Sequence, residues 1–249
     1  YAENAGISTL VVGVSGGVDS AVTSTLCAMT GLNTILLNMP IHQNPNQYQL
    51  SNEHIQWLAA KWDNVESRDI DLTSTFDSLM KDLGDDEITV LASANSRARI
   101  RMTALYAIAT SNSGIVVGTG NRVEDFGVGF FTKYGDGGVD ISPIADLKKS
   151  EVYCLAKALD IAQQIQQAPP TDGLWEDGRT DEEQMQASYD ELEWAMQETA
   201  EPSGVRHTQR QNEVLEIYTR LNLQNAHKMK PIPVYKRQSE MDISSNHSS

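Results

Sequence analysis

The chain has 249 residues, 40% of them hydrophobic, enough to bury a sizeable core in one large domain or two small ones. Its 19 Lys and Arg face 34 Asp and Glu, and the formal net charge of -15 repels a nucleic-acid backbone, so an anionic ligand must be gripped by a local cluster of positive groups. No apolar stretch is long enough to cross a membrane and no signal peptide is evident, which leaves a cytoplasmic protein of small-molecule substrates as the expectation.

In chain order, strand-like runs occupy 9–14, 34–38, 65–70 and 114–118, each followed by a segment able to form a helix. This alternation predicts an α/β fold, a doubly wound and mostly parallel sheet with helices on both faces, in the Rossmann-like manner. No composition shift marks a linker, so residues 1–237 read as one domain, with the polar, aperiodic stretch 238–249 as a frayed tail. Ala21, Val22, Leu26 and Met29 give the first helix its apolar side, and Gly31 ends it. A long helix runs from about Ser93 to Thr110. Helical spacing returns at Val152, Leu155, Ala156 and Leu159, then at Met185, Tyr189, Leu192 and Met196. The glutamine-rich patch at 163–167 reads as a loop, and the acidic run 181–205 as a solvated face without chemistry. Cys27 and Cys154, within helical patterns and without metal spacing, read as buried thiols. His42, His54, His207, His227 and His247 read as isolated surface or loop histidines.

The densest chemistry lies between the first strand and the first helix, in Gly13, Val14, Ser15, Gly16, Gly17, Val18, Asp19 and Ser20. The first N–H groups of a helix lack intrahelical acceptors and carry the positive end of its dipole, so they attract anions. Glycines let phosphate oxygens approach the backbone, hydroxyls donate hydrogen bonds, and Asp19 is a ligand suited to Mg²⁺. A strand-to-helix turn with an ordinary cap is the plainer alternative. The Walker lysine is absent, which argues against a P-loop kinase or GTPase.

In an open parallel sheet the ligand sits beyond the carboxyl ends of the strands, which brings Gly118-Thr119-Gly120-Asn121 toward the same place. Glu124 follows closely and supplies a second carboxylate, so Asp19 and Glu124 would suffice as protein ligands to a metal bridging phosphates. Arg97, Arg99 and Arg101 recur every second residue along a helix, so at most two can serve one site. The stretch from Phe131 to Asp140 carries Lys133, the two carboxylates Asp136 and Asp140 and three flexible glycines, which suits a ligand-wrapping loop; a surface hairpin is the alternative. Lys149 at the next helix could reach an anion or point to solvent. Pro170-Thr171-Asp172-Gly173-Leu174-Trp175 and His227-Lys228 are weaker signals.

The opening octet resembles the pyrophosphate loop of the N-type ATP pyrophosphatases. Together with NSRARIRM, GTGN and Glu124, FTKYGDGGVD, the lysine before the helix, PTDGLW with Asp181-Glu182-Glu183, and HKMKPIP, the chain resembles the ammonia-dependent NAD synthetases from about residue 7 to 237. The resemblance implies ATP-driven adenylation of the carboxylate of deamido-NAD, followed by attack of free ammonia to give NAD and AMP. It implies that Gly13 to Ser20, Thr119, Lys149 and Thr171 serve ATP, with Asp19, Lys149 and Thr171 catalytic, and that Asp19 and Glu124 hold Mg²⁺. It assigns Arg99, Lys133, Asp140, His227 and Lys228 to deamido-NAD, and it implies a homodimer. Gln186 departs from the family pattern, which often has Gly there, and the leading helix is short. A different acceptor for the same ATP chemistry, or a non-catalytic adenine-nucleotide sensor, are the competing readings.

Overall fold

A computed structural model describes residues 1–84, 87–171 and 180–235. The tail 238–249 and Asp172 to Trp175 of the PTDGLW segment lie outside the described residues.

All four expected strands form: β1 (Thr9–Gly13), β2 (Asn33–Asn38), β3 (Val65–Asp69) and β4 (Gly114–Val117). They make one sheet in the order β3-β2-β1-β4, every pair parallel. Side chains alternate across a strand, so the apolar runs are sorted onto two faces. Leu10, Val12, Leu36, Ile115 and Val117 pack against Cys27 and Ala28 of α1 (Val18–Met29) and Ile55 and Leu58 of α2 (Pro45–Lys61). Val11, Ile35, Leu37 and Val116 face the other way, onto Ala109, Leu105 and Ile108 of α4 (Val90–Ser111). Between them in sequence, α3 (Thr73–Leu83) buries Phe76 and Met80 over Ile41. No helix among the described residues is long and apolar enough to cross a membrane.

The chain steps outward from β1 to β2 to β3, then returns through α4 to place β4 on the opposite side of β1. Strand order reverses there, opening a crevice at the carboxyl ends of β1 and β4. Beyond β4 the chain makes a π-helical turn (Val123–Val128), followed by α5 (Lys149–Ala158), α6 (Gln163–Gln167), α7 (Asp181–Met185), α8 (Tyr189–Ala200) and α9 (Gln209–Met229). The segment from Phe131 to Asp140 is not a hairpin: its turns lead Ile141 into a parallel bridge with Val117 at the sheet edge. Val123 and Val128 of the π turn join Met185, Tyr189, Leu192, Val214 and Tyr218 in a second apolar cluster that carries α7, α8 and α9.

Several local expectations are corrected. The glutamine patch is helical, because Ile165 at its centre is buried against Ile144, Val152 and Ala156. Cys27 is buried, but Cys154 is exposed on the outer side of α5. His54 is buried between α2 and α1, where its Nε2 lies 3.0 Å from the Ser24 hydroxyl and 3.1 Å from the Ala21 carbonyl. A helical histidine needs only a hydroxyl and a carbonyl opposite it to satisfy its ring inside a core.

Candidate active site

The loop after β1 places its glycines where side chains have no room. Gly16 has φ +89°, and a Cβ on it would lie 2.6 Å from the Gln47 carbonyl oxygen of α2. The turn is closed by its own hydroxyls: the Ser15 N–H donates to Ser20 Oγ at 3.1 Å, and the Ser20 hydroxyl donates to the Gly17 carbonyl at 3.0 Å. From below, the Ser51 hydroxyl of α2 donates to the Val14 carbonyl at 2.8 Å. The N-cap of α1 is Gly17, which has no side chain to spend on the first N–H groups. A helix start without a side-chain cap can offer its N–H groups to an anion, and Gly17, Val18, Asp19 and Ser20 line the crevice.

A cavity of about 1210 Å³ fills this crevice and extends beneath α4. The whole octet Gly13 to Ser20 lines it, with Thr119, Glu124, Lys149 and Thr171 on the opposing walls. Arg97 and Arg101, four residues apart on one face of α4, line it as well. Arg97 stacks its guanidinium 4.9 Å from the Phe76 ring centroid, and Arg101 donates to the Met39 carbonyl at 2.9 Å and to Gln43 at 3.0 Å. Arg99 points elsewhere, as the two-residue spacing requires.

Lys149 is the centre of the charge arrangement. The side chain expected to reach an anion or solvent is 3% exposed, and its ammonium donates to Asp19 at 2.5 Å and to Glu124 at 3.2 Å. Burial by itself would lower its pKa, but the Glu124 and Asp19 carboxylates outweigh that and hold the pKa above the ordinary lysine value. Asn121, fully buried, donates to Asp19 at 3.0 Å while its carbonyl accepts the N–H groups of Val123 and Glu124. One amide thus fixes Asp19 against the turn that carries Glu124. The Tyr189 hydroxyl bonds both Glu124 and Asp181, and the Lys149 ammonium sits 4.5 Å from its ring centroid. Burial, then these carboxylates, keep that phenol protonated far above its usual range. The neighbouring Asp125 carboxyl is pushed up to about 7 by burial and by Glu124, Asp136 and Asp19.

The acidic run 181–205 is therefore more than a solvated face. Asp181, the first residue of α7, is buried, and so is Glu193, because the helical period of α8 turns Tyr189, Leu192 and Glu193 inward. The sequence reading places Asn121 in a polar loop, Tyr189 on an apolar helical side and Asp181 and Glu193 in the acidic run, and gives none of the four its own role at the site. Asn121 had a readable signal, an amide three residues before a carboxylate at a helical turn.

The residues assigned by resemblance to deamido-NAD lie outside the cavity wall. Four of them meet on one surface. Arg99 donates to the Lys133 carbonyl at 3.4 Å, the Lys133 ammonium to the His227 carbonyl at 2.6 Å, and Lys228 to the carbonyls of Gly129 and Phe131 at 2.9 and 2.8 Å. Burial lowers the Lys228 pKa. Asp140 sits apart, its carboxylate accepting the Val116 N–H at 2.8 Å and the Tyr106 hydroxyl at 3.0 Å at the edge of β4.

A sequence model of the family described as NAD synthase matches residues 1–232. The chain belongs to the NAD synthase family. The NH3-dependent NAD+ synthetase of Alkaliphilus oremlandii is 37% identical to it over 242 residues, 92% of this chain and 90% of that one. Among solved structures, this NAD synthase chain is similar to the NMN synthetase of Francisella tularensis, with a TM-score of 0.82, 33% identity, and 94% and 92% of the two chains covered. It is also similar to the NH3-dependent NAD synthetase of Campylobacter jejuni, with a TM-score of 0.76, 26% identity, and coverage of 94% and 93%.

Proposed function

We propose that the chain is an ammonia-dependent NAD synthetase, a carbon–nitrogen ligase that amidates deamido-NAD with ATP. In the first step a carboxylate oxygen of the nicotinate ring bonds to the α-phosphorus and pyrophosphate leaves. In the second, ammonia bonds to the activated carbonyl carbon, AMP leaves with the bridging oxygen, and one proton is lost from nitrogen. The observation that carries this reading is the Lys149 ammonium, held by Asp19 and Glu124 beside the uncapped start of α1. A cation and a set of N–H groups aimed at one phosphate site stabilise the charge that gathers on departing pyrophosphate.

Asp19 and Glu124 fit a magnesium ion: both are hard oxygen donors on the cavity wall, and both meet at one cation already. Among the described residues no third His, Cys, Asp or Glu joins them as a ligand set, which suits an ion that takes its remaining ligands from phosphate and water. When bound, Mg²⁺ supplies neutralisation of the phosphate charge. Thr119 and Thr171 complete the ATP contacts. Arg99, Lys133, His227 and Lys228 form a cationic surface for deamido-NAD, with Asp140 bracing the edge behind it. The molecule works as a cytoplasmic homodimer whose second subunit completes the dinucleotide site, with neither nucleic acid nor membrane as partner.

The similarity to an enzyme named for making NMN gives the test its second arm. Purified protein with ATP, Mg²⁺ and ammonium is offered deamido-NAD or nicotinate mononucleotide, and products are separated by chromatography. NAD and AMP in equal amounts, with slower use of the mononucleotide, are expected. Release of ADP and orthophosphate, or indifference to deamido-NAD, refutes the assignment.

A further inference from the structure

Lys149 is the first residue of α5, so the place of its ammonium depends on where that helix begins. Helix starts are pliable, because their first N–H groups have no intrahelical acceptor. The start of α5 is secured from another element. Glu193 of α8, 9% exposed and absent from the cavity wall, accepts the Ser150 N–H on one carboxylate oxygen at 2.9 Å and the Ser150 hydroxyl on the other at 2.7 Å. Both oxygens are thus committed to the residue that follows Lys149. The carboxylate also lies at the positive end of the α5 dipole, which favours its charge there.

A second contact runs from the same helix to the same lysine. Tyr189 precedes Glu193 by one helical turn and shares its face. Its hydroxyl holds Glu124, the carboxylate on the other side of the Lys149 ammonium. Helix α8 therefore grips the backbone under Lys149 through Glu193 and one of its ion-pair partners through Tyr189. Leu192 and Ala195, fully buried in the second apolar cluster, make α8 a rigid support for both.

We propose that Glu193, acting through Ser150, is a positioning residue that sets the Lys149 ammonium for adenylate formation. Its catalytic part rests on the role given above to Lys149; its structural part does not.

Glu193→Gln, Ser150→Ala and the double variant separate these parts. With deamido-NAD, each single variant lowers kcat about tenfold, the scale on which small misplacements act, while KM for ATP and the melting temperature stay near wild type. The double variant is no slower than the slower single one, because both changes break one link. Independently of turnover, an amine-reactive label read by peptide mass spectrometry modifies Lys149 about tenfold faster in either single variant, as its buried pairing loosens. Lys61, clasped between Trp57 and Trp62, serves as the unchanged reference. A folded Glu193→Gln protein with wild-type kcat and wild-type Lys149 labelling overturns the proposal. Should that variant not fold, Ser150→Ala, which deletes one hydroxyl, decides on the same two readouts. If the wild-type protein makes no NAD, the functional reading falls and the labelling comparison alone decides the positioning role.

Discussion

Replacing Lys149 by Met removes the ammonium while keeping most of the stem's volume, so the change isolates charge. At an effective dielectric of about 20, contacts at 2.5 and 3.2 Å represent gross attractions of about 7 and about 5 kcal/mol. Desolvation of a lysine that is 3% exposed offsets most of this. The variant leaves Asp19 and Glu124 facing each other without a cation, and breaking such a pair usually destabilises by about 3–5 kcal/mol. Both carboxylates retain contact with the water-accessible cavity, which puts the expectation at the lower end, about 3 kcal/mol. Urea unfolding at pH 7.5 without nucleotide or metal measures it. Adding Glu124→Gln to the Met variant should recover about half, since one uncompensated charge disappears. A loss below about 1 kcal/mol, or a double variant less stable than the single one, would refute the picture of one ammonium holding two carboxylates together. In turnover, the Met variant should lose about 100-fold or more in kcat.

His54 makes stability depend on pH. Burial lowers its pKa to about 4 from 6.5, so protonation favours the unfolded chain; the stabilisation is complete above pH 6.5 and is lost as pH falls toward 4, about 3 kcal/mol in all. Denaturation across that window should be flatter for His54→Gln, and identical slopes would exclude the effect. Gln186 caps α7 with φ 65°, a left-handed conformation in which glycine is free of strain. Gln186→Gly should stabilise by about 0.5–1 kcal/mol in thermal unfolding, after allowing for the lost 3.4 Å bond from Arg220, and a lower melting temperature would count against it. A Cβ on Gly120 would lie 2.2 Å from both oxygens of the Asp125 carboxylate. Gly120→Ala should destabilise by about 1–3 kcal/mol, and Asp125→Ala in the same chain should restore most of that; no rescue would place the strain elsewhere.

Much of the frame was legible in the order of residues. The apolar runs that became β1 and β4 needed only their own composition and the punctuation of Gly13 and Gly118, because strand formation and turn chemistry act over a few neighbouring residues. The octet announced an anion site for the same reason: the glycines, hydroxyls and helix start that hold a phosphate are contiguous. The alternation of strands and helices was enough to expect the two polar loops at the carboxyl ends of a parallel sheet; the order β3-β2-β1-β4, with its reversal at β1, is what makes them neighbours.

What only the tertiary structure decided is which distant groups share a charge. Lys149 could have pointed into solvent; its pairing with Asp19 spans 130 residues and depends on α5 docking against α1. Within the acidic run, Glu193 looks no different from Glu191 or Glu198, yet Glu193 is buried on Ser150 while Glu191 meets Arg210 at the surface. Helical spacing shows that one side of α8 will face inward, but the partner waiting there comes from a separate part of the chain. A local pattern specifies an element and its apolar face; the desolvation and pairing that give a carboxylate or an ammonium its function arise only when packing brings far-apart segments together.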